Sequence, residues 1–220
     1  MNPRSGAIAM TALLLLALCA SPAGAYEHRR GTPSIGVQLH YGLLAGNSDW
    51  TDVFQEARGV AIHVKQYVAR DRAIGLTFEL QRFAESTTIP IIAEDFDPDY
   101  LQMQIVMFDY YFYFNRAQKR TPYVVLSGGF YRPEIVDEGD KDLQELGYVV
   151  EHPHEGVLAR AGVGLEWFLG RTFSIDGSLS GYYIHNPSKL KGLIPDEEAE
   201  SGGLASSFMA ALGVHLYTGK

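Results

Sequence analysis

Residues 157–167 read VLARAGVGLEW. Val157, Ala159, Ala161, Val163, Leu165 and Trp167 take the odd positions, with Arg160, Gly162, Gly164 and Glu166 between them. Successive side chains of an extended strand point to opposite faces, so this stretch has one continuous apolar face and one face mixing glycine with both signs of charge. A helix of period 3.6 would scatter the same residues around its circumference. The reading is a β-strand, greasy on one side only.

The same alternation recurs on both sides of this stretch. Ile35, Val37, Leu39, Tyr41 and Leu43 oppose Gly36, Gln38, His40 and Gly42, and Val60, Ile62, Val64 and Val68 oppose Ala61, His63, Lys65 and Tyr67. Ile74, Leu76, Phe78 and Leu80 oppose Gly75, Thr77, Glu79 and Gln81. Between Tyr123 and about Arg132, Val124, Leu126 and Phe130 oppose Ser127 and Gly129. Phe173, Ile175, Leu179 and Tyr183 face away from Ser174, Asp176, Ser178 and Ser180, and Phe208, Ala210, Leu212, Val214 and Leu216 away from Ser207, Met209, Gly213 and His215. The segment from Tyr100 to Phe114 is the irregular one. It opens with Leu101, Met103 and Ile105 on its greasy face and ends with Phe108, Tyr110, Phe112 and Phe114 there. That slip of phase predicts a β-bulge near Val106 or Met107, turning Asp109 away from the apolar side.

Eight such segments of roughly 10 residues match a tilted strand that crosses a bilayer, and an even number lets an antiparallel sheet close without edges. No stretch after the leader approaches the roughly 20 apolar residues of a membrane helix. The breaks alternate in length: short ones at Asp71, Asn115 to Thr121 and Gly170, long ones at Ala45 to Arg58, Glu85 to Asp99, Pro133 to Glu155 and Asn186 to Gly203. Short turns at one end and long loops at the other predict an all-β, eight-stranded, antiparallel up-and-down transmembrane barrel with both termini at the turn end. Tyr110 to Phe114, Tyr123, Trp167, Phe173 and Tyr217 would form an aromatic belt at that end. Tyr41, Tyr100, Phe130, Tyr131, Tyr182 and Tyr183 would form one at the other.

The N-terminus sets the compartment. Arg4, the apolar run Ala7 to Ala20 and the small residues Ala23, Gly24 and Ala25 read as a cleaved signal peptide over residues 1–25, with residues 26–220 as one barrel domain. Cys19, the only cysteine, leaves with the leader, so no disulfide braces the mature chain. Leu18 stands where a lipoprotein signal carries a small residue. The formal net charge of −8 becomes one unit more negative when Arg4 is removed, which argues against nucleic acid as a partner.

Tyr110 to Phe114 before a short turn, Pro122 to Val124 rising to Gly128, Gly129 and Phe130, the run Gly162 to Phe168, and the closing Gly213 to Tyr217 resemble the small outer-membrane β-barrel superfamily that includes the OmpA transmembrane domain and OmpW-like proteins. Most of the mature chain takes part. The resemblance implies an outer-membrane location with periplasmic termini and a monomeric barrel. Its partners would be membrane lipid and lipopolysaccharide, with the barrel-assembly machinery during export. It also implies a terminal aromatic residue read by that machinery, whereas Thr218, Gly219 and Lys220 follow Tyr217 here. Relatives are credited with structural roles or narrow passage of small solutes.

If the polar faces point inward, the lumen collects Lys65 and Arg160 with Glu79, Asp109, Glu166 and Asp176, beside Gln38, His40, His63, Gln81 and Gln104. Charges buried together must pair, and Lys65 and Glu79 on adjacent strands are the expected pair. An eight-stranded barrel leaves room inside for side chains only, which predicts a polar plug with no catalytic centre, metal or cofactor. Two other readings compete. A lipid A deacylase barrel would place His185 near a Ser, but Pro187 holds the required position and Ser188 has the wrong phase. A soluble, lipocalin-like barrel would turn the greasy faces inward. In the long breaks, His152 and His154 with Glu151 and Glu155 are a weak metal motif, the acidic run Asp196 to Glu200 could hold divalent cations, and Ile89, Ile91 and Ile92 could extend strands or cover the lumen.

Overall fold

The computed structural model describes residues 30–46, 54–85, 100–114, 119–136, 155–185 and 205–218. The leader and the features at Ile89 to Ile92, His152 to His154, Pro187 and Asp196 to Glu200 lie outside them. The strands are β1 (Pro33–Gly46), β2 (Phe54–Ala69), β3 (Arg72–Glu85), β4 (Tyr100–Tyr113), β5 (Arg120–Val136), β6 (Gly156–Phe168), β7 (Phe173–His185) and β8 (Ala205–Tyr217). They pair in chain order, all antiparallel, and β8 returns to β1 to close the barrel. The seam runs from Ser34 opposite Tyr217 to Gly46 opposite Ala205, so no strand edge is left unpaired.

Which face looks out follows from composition. The rows of Val, Leu, Ile and Phe found by alternation lie on the exterior: Leu39 is 66% exposed, Val163 57%, Leu212 65% and Phe130 70%. The opposite rows carry carboxylates, glutamines and histidines and are buried. A soluble barrel needs the reverse arrangement, so the lipocalin-like alternative is wrong. An apolar surface of this extent around a polar interior is a wall built to meet hydrocarbon.

The predicted bulge in β4 does not occur. Pairing with β3 runs without a break from Gly75 opposite Asp109 through Thr77 opposite Met107 to Glu79 opposite Ile105. The inward row of β4 is therefore Leu101, Met103, Ile105, Met107, Asp109, Tyr111 and Tyr113, all buried, while Gln102 and Gln104 face out. The apparent slip arises because the first half of this strand is apolar on its lumen side. A register shift does exist in β2, where Val68 is the extra residue between the pairs Tyr67–Ala73 and Ala69–Arg72 beside the tight Arg70–Asp71 turn.

The aromatic belts are also divided differently from expectation. Tyr110, Phe112, Phe114, Trp167 and Phe173 at the turn end, and Tyr41, Tyr100, Phe130 and Tyr183 at the loop end, point outward. Tyr111, Tyr113, Tyr123, Tyr217, Tyr131 and Tyr182 point inward and are buried. Their rings use space left by glycines on neighbouring strands. A Cβ at Gly164 would collide with the Tyr123 ring, and one at Gly36 with the ring of His215.

Candidate functional site

The interior is stacked in three layers. At the loop end Phe83, Leu101, Met103, Ile105, Met107 and Met209 belong to one buried apolar cluster. At the turn end Tyr67, Tyr111, Tyr113, Tyr123, Phe168 and Tyr217 belong to another. Between them lies a network of polar side chains in which every strand takes part.

Glu166 of β6 is the hub nearest the tyrosines. Lys65 Nζ donates to its Oε2 at 3.0 Å and Tyr113 OH to the same oxygen at 3.1 Å, while Ser174 Oγ donates to Oε1 at 2.5 Å. The Tyr217 hydroxyl also donates to Oε1. Lys65 donates to Tyr113 OH at 3.0 Å and faces the rings of Tyr111, Tyr113 and Tyr217 at 5.4 to 5.6 Å, so its ammonium sits in an aromatic cradle with a carboxylate at its base.

Three more carboxylates follow the same rule. Arg160 Nη2 donates to Asp109 Oδ1 at 2.6 Å, and the Thr77 hydroxyl takes the other oxygen. Arg160 also reaches Ser127 Oγ at 3.1 Å and lies 5.8 Å over the Tyr182 ring. Glu79 accepts from Tyr182 OH at 2.9 Å and Gln81 Nε2 at 2.6 Å, with His40 Nδ1 at 2.5 Å. Asp176 accepts from Gln38 Nε2 at 2.7 Å and Tyr123 OH at 2.8 Å, with His215 Nε2 at 2.9 Å. Each buried acid thus faces one basic side chain: Lys65 with Glu166 and Arg160 with Asp109 as ion pairs, and His40 with Glu79 and His215 with Asp176 as contacts that become ionic when the ring is protonated. One-to-one matching is what burial demands, because an isolated charge in a low-dielectric interior is costly. The histidine rings form a ladder, His40 to His63 at 6.5 Å and His63 to His215 at 6.1 Å. Thr77 Oγ1 is 2.7 Å from His63 Nδ1. Among the described residues, no group of His, Cys, Asp and Glu is arranged to hold a metal ion.

Lys65, Glu79, Asp109, Arg160, Glu166 and Asp176 all point into the lumen, and Gln38, His40, His63 and Gln81 join them. Gln104 does not; it faces outward. The expected Lys65–Glu79 pair is also absent. Lys65 lies opposite Gly75 and Glu79 opposite Ala61, four positions along the hairpin, so Lys65 reaches across the lumen to β6 instead. The hydroxyls of Thr77, Ser174, Tyr113, Tyr123, Tyr182 and Tyr217 are the functional groups sequence reasoning passed over. Their shared inward phase was the available signal.

The sequence matches no family model and no curated protein. Solved structures do match. Neisserial surface protein A aligns with a TM-score of 0.54 at 10% identity over 84% of this chain and 96% of its own. OprG from Pseudomonas aeruginosa aligns at 0.55 and 8% identity over 90% and 100%, and Ail of Yersinia pestis at 0.50 and 15% over 86% and 100%. The fold is that of the small eight-stranded outer-membrane barrels. At such identities the fold is what outer-membrane barrels share with this chain, and the roles of its lumen residues rest on the distances above. His185, the candidate base of the deacylase reading, stands on the exterior with its ring stacked 6.5 Å from Tyr183.

Proposed function

We propose that this protein is an outer-membrane barrel whose lumen is closed, serving as a structural support for the long segments that join its strands at the loop end. The observation that carries the reading is the one-to-one matching of four buried carboxylates with four basic side chains, sealed above by methionine and leucine and below by tyrosine. A water-filled pore keeps its charges hydrated. These are 5% exposed or less and bonded to one another across the lumen. The narrow-passage reading draws support from the loop-end layer alone, where unbranched Met103, Met107 and Met209 adapt their shape more readily than branched residues would.

Planar-bilayer recording tests the choice. Refolded protein, shown to be a closed barrel by different gel migration before and after boiling, is expected to give no resolved single-channel steps. Steady steps from the unaltered chain would exclude the closed-lumen reading and favour passage of small solutes.

A further inference from the structure

The rim at the turn end has a pattern of charge that the lumen does not use. Arg30 precedes β1, Arg70 and Arg72 flank the β2–β3 turn, Lys119 and Arg120 open β5, and Arg171 lies in the β6–β7 turn. Five of these are exposed and Lys119 is half-buried. Among the described residues, Asp71 is the single carboxylate on this rim, and it lies 3.6 Å from Arg72 with both side chains about half exposed. The opposite end differs in sign. Each connecting segment there, 47–53, 86–99, 137–154 and 186–204, holds more carboxylates than cations.

Two features identify what the basic rim meets. The first is its distribution. Because the strands follow one another around the barrel in chain order, cations at β1, β2–β3, β5 and β6–β7 encircle it. A protein partner docking from one side would need a one-sided patch, whereas a ring fits something that surrounds the barrel. The second is depth. Arg72 and Arg120 share the outward phase of their strands, paired with Phe112 and Trp167, and the Arg120 guanidinium lies 4.9 Å over the Trp167 ring. Outward aromatic rings settle at headgroup level, so these cations sit beside lipid phosphates.

We propose that this ring binds the phosphate headgroups of anionic phospholipids in the leaflet at the turn end, selecting them over zwitterionic lipids. The proposal rests on the membrane-spanning reading. Guanidinium groups suit phosphate because their donors form a planar fork, and the ring on Trp167 fixes one such fork in place. The segments at the other end carry an excess of carboxylates instead, so the preference is assigned to the turn-end leaflet alone.

Trp167 is also the reporter. The chain has two tryptophans, and Trp50→Phe leaves Trp167 alone beside Arg120. This full-length variant is refolded into phosphatidylcholine vesicles carrying either brominated phosphatidylglycerol or the same share of brominated phosphatidylcholine, and Trp167 quenching is compared. At low salt the anionic lipid is expected to occupy the site about fivefold more readily, the factor one interfacial cation supplies. The preference should fade in 1 M salt, where screening extends only about 3 Å. Adding R120Q and R171Q should bring the two lipids close to parity, while R120K should keep most of the preference; boiling-dependent gel migration verifies that each variant is folded. Equal quenching by both lipids at low salt overturns the proposal while leaving the barrel in its membrane. Absence of quenching by either lipid overturns the membrane reading and the proposal with it.

Discussion

The loop-end half of the lumen and the half below it are built on the same strands, in the same phase, from different chemistry. On β4 the inward row passes from Leu101, Met103, Ile105 and Met107 to Asp109, Tyr111 and Tyr113 within seven alternate positions. The upper half fills space with side chains that need no partner. The lower half fills it with side chains that each need several, and the tyrosines serve both needs, a ring for volume and a hydroxyl for Glu166, Asp176 or Glu79. Apolar packing tolerates exchange among residues of similar size, whereas a charge network tolerates the loss of a whole pair better than the loss of one member.

The strongest way to break that contrast is to remove one charge. Arg160→Leu leaves Asp109 buried with only Thr77, and a loss of about 3–5 kcal/mol is expected in denaturant titration of the barrel refolded in lipid vesicles. Removing both members, R160L with D109L, should recover most of that loss, because no uncompensated charge remains. A double variant as unstable as the single one would show that the lower half is held by something other than charge matching.

The upper half should respond more mildly and without any rescue by a second change. Met107→Ala removes a fully buried side chain at the boundary between the layers, for an expected cost of about 2–3 kcal/mol by the same titration, whereas Met107→Leu should cost less than about 1.5 kcal/mol. If Met107→Leu were as damaging as Met107→Ala, shape alone would not govern this layer. A smaller effect than that of Met107→Ala is expected at the hub. Tyr217→Phe keeps the ring and deletes one of four donors to Glu166, so a loss of about 1.5 kcal/mol should appear with gel migration unchanged.

The wall of the barrel was legible in the sequence because its signal is local: a period of two, repeated, needs only neighbours in the chain. The inward direction of Lys65, Glu79 and Arg160 followed from the same parity. Two things did not follow. The first half of β4 reads as lipid-facing from sequence because apolar residues usually mark the lipid side, a rule that fails wherever the lumen itself is dry. The unbroken parity linking Met107 to Asp109 carried the correct answer. Partner choice was also out of reach. Lys65 and Glu166 are 101 residues apart and meet only because the sheet is curled, so no pattern along the chain distinguishes Glu166 from Glu79 as the mate.

Closure by β8 has a bearing on how such a chain comes to be inserted. Until that strand docks on β1, Asp176 of β7 lacks Gln38 of β1 and Glu166 of β6 lacks Lys65 of β2, so the half-assembled cylinder keeps two carboxylates that favour remaining wet. The last thirteen residues to be zipped therefore both shut the seam and expel solvent from the bore, making the final strand a checkpoint: a copy cut short before Ala205 would have neither a finished wall nor a dry centre.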